Sequence, residues 1–188
     1  KTTFFEVYDR FTEERIKRKE WKKSTIKRYK NIKNLLIEFE KVKKYKLTFS
    51  NINNTFYTEF IDFCYEDKDH YTNTFNRNIG LVKTFLFWAL KKEYMYNDKF
   101  IDFKKPKRVL TREEALSFED IKTLYNYVCE ESKLNKIKDV FIFQSLTGMR
   151  FGELKLINKR IVNNKDCIVL KEEKDSSKDT REIPLMSI

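Results

Sequence analysis

Two of the three glycines in this chain lie close to a single arginine, in the run Thr147-Gly148-Met149-Arg150-Phe151-Gly152-Glu153-Leu154. A glycine at this place ends one helix, and the residues after it start another. Arg150 would then stand at a helix junction with Glu153 one turn later. A guanidinium held by a carboxylate presents a planar fork of N–H donors that suits a phosphate. A helix C-cap followed by an ordinary surface ion pair explains the same spacing, and spacing alone favours it.

Positive charge is concentrated near the start of the chain. The 188 residues carry 40 basic and 29 acidic side chains, a formal net charge of +11. Residues 15–46 alone hold 14 basic and three acidic side chains, so this stretch accounts for the whole excess. A surface this one-sided attracts polyanions, and counterion release favours nucleic-acid binding. A lysine-rich solubilising surface is the alternative, and charge alone does not separate the two.

Composition excludes several classes of protein. A hydrophobic content of 40% supports a packed core rather than a disordered chain. No apolar run is long enough for a transmembrane helix, and no signal peptide is recognisable. Three widely spaced cysteines, Cys64, Cys129 and Cys167, argue against a disulfide framework or a cysteine metal site. We therefore expect a cytoplasmic protein with no cysteine metal site and no membrane partner.

The first hundred residues predict four amphipathic helices. Apolar residues recur at helical spacing over residues 3–19 and 24–42, and again in two later segments. Four helices of these lengths form a compact bundle. The expected caps are Ser24 for the second helix, Asn53 or Asn54 for the third, and Thr72 or Asn73 for the fourth.

The helical pattern breaks after residue 100. A basic stretch around Pro106 predicts a linker over residues 101–116. The expected domains are therefore residues 1–100 and 117–188 on either side of this linker.

The second domain is expected to begin with helices and end with strands. The first helix is expected to start at Ser117. Asp120 follows three residues later, which is close to a capping box. A second helix is expected over residues 137–146. After Leu154, short β-like runs separated by turn residues predict a three-stranded antiparallel meander.

The run Thr147–Leu154 resembles the first arginine box of the tyrosine recombinases, the phage-integrase family, usually written TGxRxxEL. It follows an all-helical region, a linker and two helices, and it precedes a three-stranded sheet, as in that family. Residues 23–29, 72–79 and 83–89 (KSTIKRY, TNTFNRNI and KTFLFWA) are similar to the core-binding domain of Bacteroides-type integrases. The resemblance covers essentially the whole chain. It implies a mainly α fold with a small β-meander: a four-helix SAM-like core-binding domain, then the start of the α+β catalytic domain.

The resemblance also implies the chemistry of DNA strand cleavage. A tyrosine hydroxyl attacks the scissile phosphate, and a 3′-phosphotyrosyl bond forms as the 5′-oxygen leaves. Arg150, supported by Glu153, would stabilise the charge on the phosphorane. Lys174, on the hairpin between the second and third strands, would protonate the leaving oxygen; Lys171 and Lys178 are alternatives. Because the covalent link conserves bond energy, the reaction reverses without ATP or metal, so the resemblance implies no cofactor, no metal and no small-molecule substrate.

The family's nucleophile and second catalytic box are not found in this sequence. The family places a His-x-x-Arg box and a tyrosine after the sheet, whereas the last tyrosine here, Tyr127, precedes the arginine box. His70, the lone histidine, precedes the fourth helix and is expected to be a loop or capping residue. We therefore expect the chain to be a fragment that alone neither cleaves nor rejoins DNA.

In this family the core-binding domain and the catalytic domain form a clamp on the duplex, which implies DNA contacts from the helical part. The candidate surfaces are the starts of the second and fourth helices. Lysine, serine and threonine side chains there would hold phosphates, and Asn76 and Arg77 could read base edges. Helix capping alone explains Asn73 and Thr74 equally well. The candidate DNA-binding residues are Lys22, Lys23, Ser24, Thr25, Lys27, Arg28, Asn73, Thr74, Asn76 and Arg77.

The leading functional expectation is site-specific recombination or integration of a mobile DNA element. The full-length protein would act as a tetramer on double-stranded attachment sites, associated with the bacterial nucleoid. One alternative is a non-catalytic DNA-binding regulator or relic with the same fold. Another is a helical protein–protein adaptor whose basic face serves solubility only.

Overall fold

The computed structural model describes residues 2–112, 114–155, 157, 162–163, 167–171 and 180–184. Contacts divide the chain into two compact units, Lys1–Thr111 and Arg112–Ile188. The first unit extends beyond residue 100, because Phe100 and Phe103 are buried in its core. Part of the stretch predicted as a linker therefore belongs to this unit.

The first unit consists of four α-helices, as predicted. Two of them begin at side-chain caps: Thr3 forms a capping box with Glu6, and Asn53 accepts the N–H of Phe56 at 3.1 Å. The third helix continues through a π-helical turn, Phe63–Asp67. The helices are α1 (Phe4–Lys17), α2 (Lys23–Lys43), α3 (Asn54–Asp62) and α4 (Thr72–Lys91), with 3-10 turns at Phe49–Asn51 and Lys99–Asp102.

Two of the predicted helix caps are wrong. The N-cap of α2 is Lys22 and that of α4 is Tyr71, and neither makes a side-chain capping hydrogen bond. Ser24 lies within the first turn of α2. Thr72 and Asn73 are likewise inside α4. Contacts elsewhere in the fold therefore outweigh the local capping preference at both helix starts.

The core of the first unit is largely aromatic. Phe11, Phe39 and Phe85 are fully buried and contact other rings edge-on or tilted. The Tyr8 hydroxyl donates to the carbonyl of Tyr29 at 2.8 Å and joins α1 to α2. The Trp21 ring, just before α2, stacks on the Tyr29 ring with centroids 4.1 Å apart. These contacts set where α2 begins.

The described part of the second unit has three helices followed by an antiparallel sheet. The capping box predicted at Ser117 is confirmed, since Asp120 and Ser117 exchange hydrogen bonds of 2.8 and 3.1 Å. The strands follow in the order β1-β2-β3, which confirms the predicted meander. The elements are α5 (Phe118–Asn126), α6 (Ser132–Thr147), α7 (Phe151–Leu154), β1 (Val162–Asn163), β2 (Cys167–Lys171) and β3 (Thr180–Pro184).

A small apolar cluster ties the sheet of the second unit to the α6–α7 junction. Met149 in the junction, Ile168 on β2 and Ile183 on β3 are buried together. The junction that carries Arg150 therefore rests on the sheet. Along the described chain, no helix combines the length and the apolar character needed to cross a bilayer.

Candidate nucleic-acid interface

The starts of α2 and α4, which the sequence presents as separate surfaces, share one groove. Its volume is about 260 Å³. Three basic side chains line it, Lys27 and Arg28 from α2 and Arg77 from α4, and no acidic side chain does. The other lining residues are Ser24, Asn31, Ile32 and Asn78.

The three basic residues of this groove are exposed and make no ion pair with any described residue. Several other basic residues of the first unit are paired instead. Arg18 contacts Glu14 at 2.9 Å and Lys33 contacts Asp9 at 2.6 Å. Uncompensated cations along a concave surface concentrate a positive potential there. The groove therefore suits an anion, and Lys27, Arg28 and Arg77 provide the N–H donors for it.

The first turn of α2 adds to this potential. Lys22 and Lys23 are exposed, and Thr25 is half-buried. The Lys22 carbonyl accepts the N–H groups of Thr25 and Ile26 at 2.9 and 3.1 Å, which starts the helix. No acidic residue lies in this turn. The positive end of the helix dipole therefore coincides with the lysine side chains.

At the start of α4 the two asparagines bind the chain's own backbone. The Asn73 amide donates from Nδ2 to the Val109 carbonyl at 2.8 Å, and its Oδ1 accepts the Val109 N–H at 3.1 Å. Asn76 donates from Nδ2 to the Pro106 carbonyl at 2.8 Å, and its Oδ1 is buried. Asn76, a candidate for reading base edges, is half-buried, and its amide contacts the segment that follows Phe103. Thr74 is half-buried in the first turn, and Arg77 is exposed.

His70 lies in the loop before α4, as expected for the lone histidine. Burial lowers the pKa of its imidazole, and the charges of Lys68 and Arg77 lower it further, while Glu38 raises it. Its Nδ1 is buried without a hydrogen-bond partner in the described part of the chain. The ring therefore senses the electrostatic potential near Arg77.

In the second unit, Arg150 lies at the helix junction that the sequence predicts. Gly148 ends α6 in the left-handed conformation, with φ of 62°, and donates its N–H to the Gln144 carbonyl at 2.9 Å. Gln144 in turn donates from Nε2 to the Met149 carbonyl at 3.0 Å. Arg150 follows as the N-cap of α7. Backbone and side-chain contacts thus hold both residues that precede it.

Glu153 binds Arg150 at two points. Its Oε2 accepts the backbone N–H of Arg150 at 2.7 Å, and its Oε1 accepts the guanidinium at 2.9 Å. The Arg150 side chain is 54% exposed and that of Glu153 is 13% exposed. The carboxylate is therefore largely covered, whereas part of the guanidinium reaches solvent.

Of the three candidate catalytic lysines, one lies among the described residues. Lys171 is the last residue of β2. Lys174 and Lys178 lie outside the described residues.

Sequence reasoning missed three residues that line the groove, Asn31, Ile32 and Asn78. The sequence could have identified Asn31, because Asn31 follows Lys27 by four residues and so shares its helix face. Asn78 is a buried polar residue within the apolar stretch of α4. Its position in the sequence does not distinguish it from the core residues of the helix.

One family model and one solved structure are similar to this chain. The family model of the phage integrase SAM-like domain matches residues 3–106. Among solved structures, the crystal structure of XerA recombinase matches with 20% identity and a TM-score of 0.37. That match covers 96% of this chain and 59% of the recombinase chain, so this chain spans less than two thirds of that protein. A search of curated proteins gave no match.

The matched domain includes all four helices of the first unit and more than half of the chain. The chain therefore belongs to the phage integrase family of tyrosine recombinases, with residues 3–106 as its SAM-like domain.

Proposed function

We propose that this chain binds double-stranded DNA through the groove between α2 and α4 and supplies Arg150 to the scissile phosphate in site-specific recombination. The groove carries the proposal, because Lys27, Arg28 and Arg77 line it together without an acidic partner among the described residues. Duplex DNA is a polyanion that releases counterions when such cations neutralise its phosphates. Lys22 and Lys23, at the start of α2, would contact neighbouring phosphates.

Arg150 has the arrangement that phosphate chemistry requires. Its guanidinium is oriented by Glu153 at 2.9 Å and still reaches solvent. A positioned cation stabilises the negative charge that develops on a pentacoordinate phosphorane. In this proposal Lys174 protonates the leaving 5′-oxygen, with Lys171 and Lys178 as alternatives.

The proposal divides the reaction between this chain and the full-length recombinase. Residues 151–188 contain no tyrosine, and in this family the nucleophile follows the sheet. DNA binding and phosphate stabilisation are therefore assigned to this chain. Strand cleavage, through a 3′-phosphotyrosyl intermediate, and assembly of four protomers on the attachment site are assigned to the full-length protein.

The DNA-binding part is tested by salt titration with a fluorescent duplex of mixed sequence. The groove variant is Lys27→Gln/Arg28→Gln/Arg77→Gln. The matched control is Lys41→Gln/Lys44→Gln/Lys46→Gln, which removes the same charge from exposed positions in the last turn of α2 and just after it. Each phosphate contact contributes about 0.9 to the slope of log K against log salt. We expect the groove variant to lose roughly 2.7 from this slope, and the control to stay near the wild type.

Two outcomes would overturn the groove assignment. Equal losses in the two triple variants would mean that net charge, not the groove, drives binding. No binding at low salt would favour a protein–protein adaptor.

The catalytic part is tested on the full-length recombinase with a nicked suicide substrate. The wild type should form a covalent protein–DNA adduct, and Arg150→Ala should form none while its DNA affinity is kept. A wild type that binds DNA without an adduct would point to a non-catalytic DNA-binding regulator. Loss of DNA binding in Arg150→Ala would instead give this arginine a structural role.

A further inference from the structure

Residues 104–109, the basic strap, have no helix or strand of their own, yet side chains of the helices hold their backbone at short intervals. Just before the strap, Lys83 donates from Nζ to the carbonyls of Ile101 and Phe103 at 2.6 and 3.0 Å. The Tyr57 hydroxyl donates to the Lys104 carbonyl at 2.6 Å. These three bonds fix the point at which the strap leaves the core.

Asn76 and Asn73 hold the rest of the strap. Asn76 binds the Pro106 carbonyl, and Asn73 binds both backbone groups of Val109. A side-chain amide that pairs with both backbone groups of one residue reproduces the bonding of a β-ladder. The strap is therefore held at its middle and at its end.

The residues of α4 that contact the strap, or the residues just before it, lie on one face of the helix. Asn73, Asn76, Gly80 and Lys83 follow one another at intervals of three and four residues, which share a helix face. The chain runs opposite to α4, since Lys83 contacts the residues just before the strap and Asn73 contacts the end of the strap. Gly80 lies beside the strap, since a Cβ at that position would lie 2.9 Å from Nζ of Lys105, the flexible end of that side chain.

The strap carries four cations. All four are exposed, and none forms an ion pair with a described residue. Because their backbone is held against α3 and α4, the positions from which these side chains extend are fixed. These residues are Lys104, Lys105, Lys107 and Arg108.

The arrangement favours a polyanion for an energetic reason. Ordering a flexible segment upon binding costs about 1–2 kcal/mol for each residue whose backbone becomes fixed. A strap that is already ordered avoids much of this loss, and it is bonded to α4, the helix that supplies Arg77 to the groove. The DNA backbone that enters the groove can therefore extend along the strap.

We propose that the basic strap is a second phosphate-binding element for duplex DNA, and that Asn73 and Asn76 are its positioning residues. This inference rests on the proposed function and adds six residues to it. Lys104, Lys105, Lys107 and Arg108 contact phosphates, whereas the two asparagines act through the strap rather than on bases.

The contact is tested with Lys107→Gln/Arg108→Gln against Lys41→Gln/Lys44→Gln, which removes the same charge from exposed positions on and just after α2. In the salt titration the strap variant should lose about 1.8 from the slope of log K against log salt, and the control should not. An unchanged slope in the strap variant would overturn the inference. The groove variant would then still decide the proposed function by itself.

The positioning role is tested with Asn73→Ala/Asn76→Ala, a variant that removes no charge. DNA affinity should fall about 3- to 10-fold with the salt slope kept, since the cations remain but must be ordered on binding. Asn34→Ala, at an exposed asparagine of α2, is the matched control. Unchanged affinity would overturn the positioning role.

A second readout does not depend on DNA. Trypsin should cleave the asparagine variant faster after Lys107 and Arg108, and the Val109 amide should exchange its hydrogen faster. Cleavage within α1 to α4 should stay at the wild-type rate, which shows that the variant is folded. Wild-type protection of the strap in that variant would also overturn the positioning role.

Discussion

Glu153 accepts two hydrogen bonds from Arg150, one from its backbone N–H at 2.7 Å and one from its guanidinium at 2.9 Å. The same carboxylate therefore starts α7 and orients the arginine. Structure and proposed chemistry are linked at this residue, so its substitution should affect both.

Glu153→Gln should slow DNA cleavage by the full-length recombinase about 10-fold, and Glu153→Ala about 100-fold. The amide retains one acceptor without the charge, whereas alanine removes both hydrogen bonds, and a charged hydrogen bond contributes about 1.5–3 kcal/mol. Adduct formation on a suicide substrate measures this, with exposed Glu130→Gln as the control. Wild-type rates in both variants would contradict a positioning role for Glu153.

Gly148→Ala should destabilise the end of α6 by about 1 kcal/mol. Its φ of 62° places a Cβ in the left-handed region, which is unfavourable for residues other than glycine. Gly152→Ala is the matched control, because Gly152 is helical and has open space around its Cα. Both tryptophans lie in the first unit, so hydrogen exchange of residues 143–149 is the suitable measurement. Equal protection in the two variants would argue against strain at Gly148.

Acidification should weaken folding through His70. The pKa of its imidazole is lowered in the folded state by burial, then by Lys68 and Arg77. The unfolded chain therefore binds a proton first as the pH falls below about 6.5. The stabilisation from neutral His70 is complete above that pH and is lost as the pH falls towards the folded pKa. Urea unfolding monitored by tryptophan fluorescence between pH 7.5 and 5 measures the loss.

The His70 ring also reports on the groove. It is the lone histidine of the chain, so its proton NMR signal is unambiguous. Arg77→Gln should raise its pKa by removing a nearby positive charge, and Lys41→Gln should not. Bound DNA should raise it as well, because phosphates would offset Arg77. An unchanged His70 pKa in Arg77→Gln would contradict the electrostatic link between the two residues.

Tyr8→Phe should lower the free energy of unfolding of the first unit by about 1 kcal/mol, the usual contribution of one hydrogen bond. The substitution leaves the ring in the core and removes the bond to the Tyr29 carbonyl. Tyr96→Phe is the control, because Tyr96 is 86% exposed. Urea unfolding monitored by tryptophan fluorescence distinguishes the two. Equal stability would mean that the Tyr29 carbonyl finds another donor.

Local patterns predicted most of the helices. The apolar repeat of α2, the cap at Asn53 and the capping box at Ser117 depend on neighbours within a few residues, and all are present. The arginine junction is equally local, since Gly148, Arg150 and Glu153 lie within six residues. Such features are readable because their interactions are short in sequence.

The departures from prediction come from long-range contacts. Asn73 is a good helix cap by residue type, but its partner is Val109, which is 36 residues away. The sequence presents Asn76 as a candidate for reading base edges, and in the structure its amide contacts Pro106, which is 30 residues away. The shared groove likewise depends on how α2 packs on α4. No spacing rule brings Arg28 next to Arg77.

The start of α2 is electrostatically frustrated. Lys22 and Lys23 stand where a helix is better served by an acidic residue, and like charge at the positive end of a helix costs about 0.3–1 kcal/mol per side chain. An anion bound to this turn offsets the repulsion between the lysines and the helix dipole. Anion binding and the local stability of the helix should therefore increase together. The free chain should therefore be more stable in phosphate or sulfate than in chloride at equal ionic strength, even with no nucleic acid present.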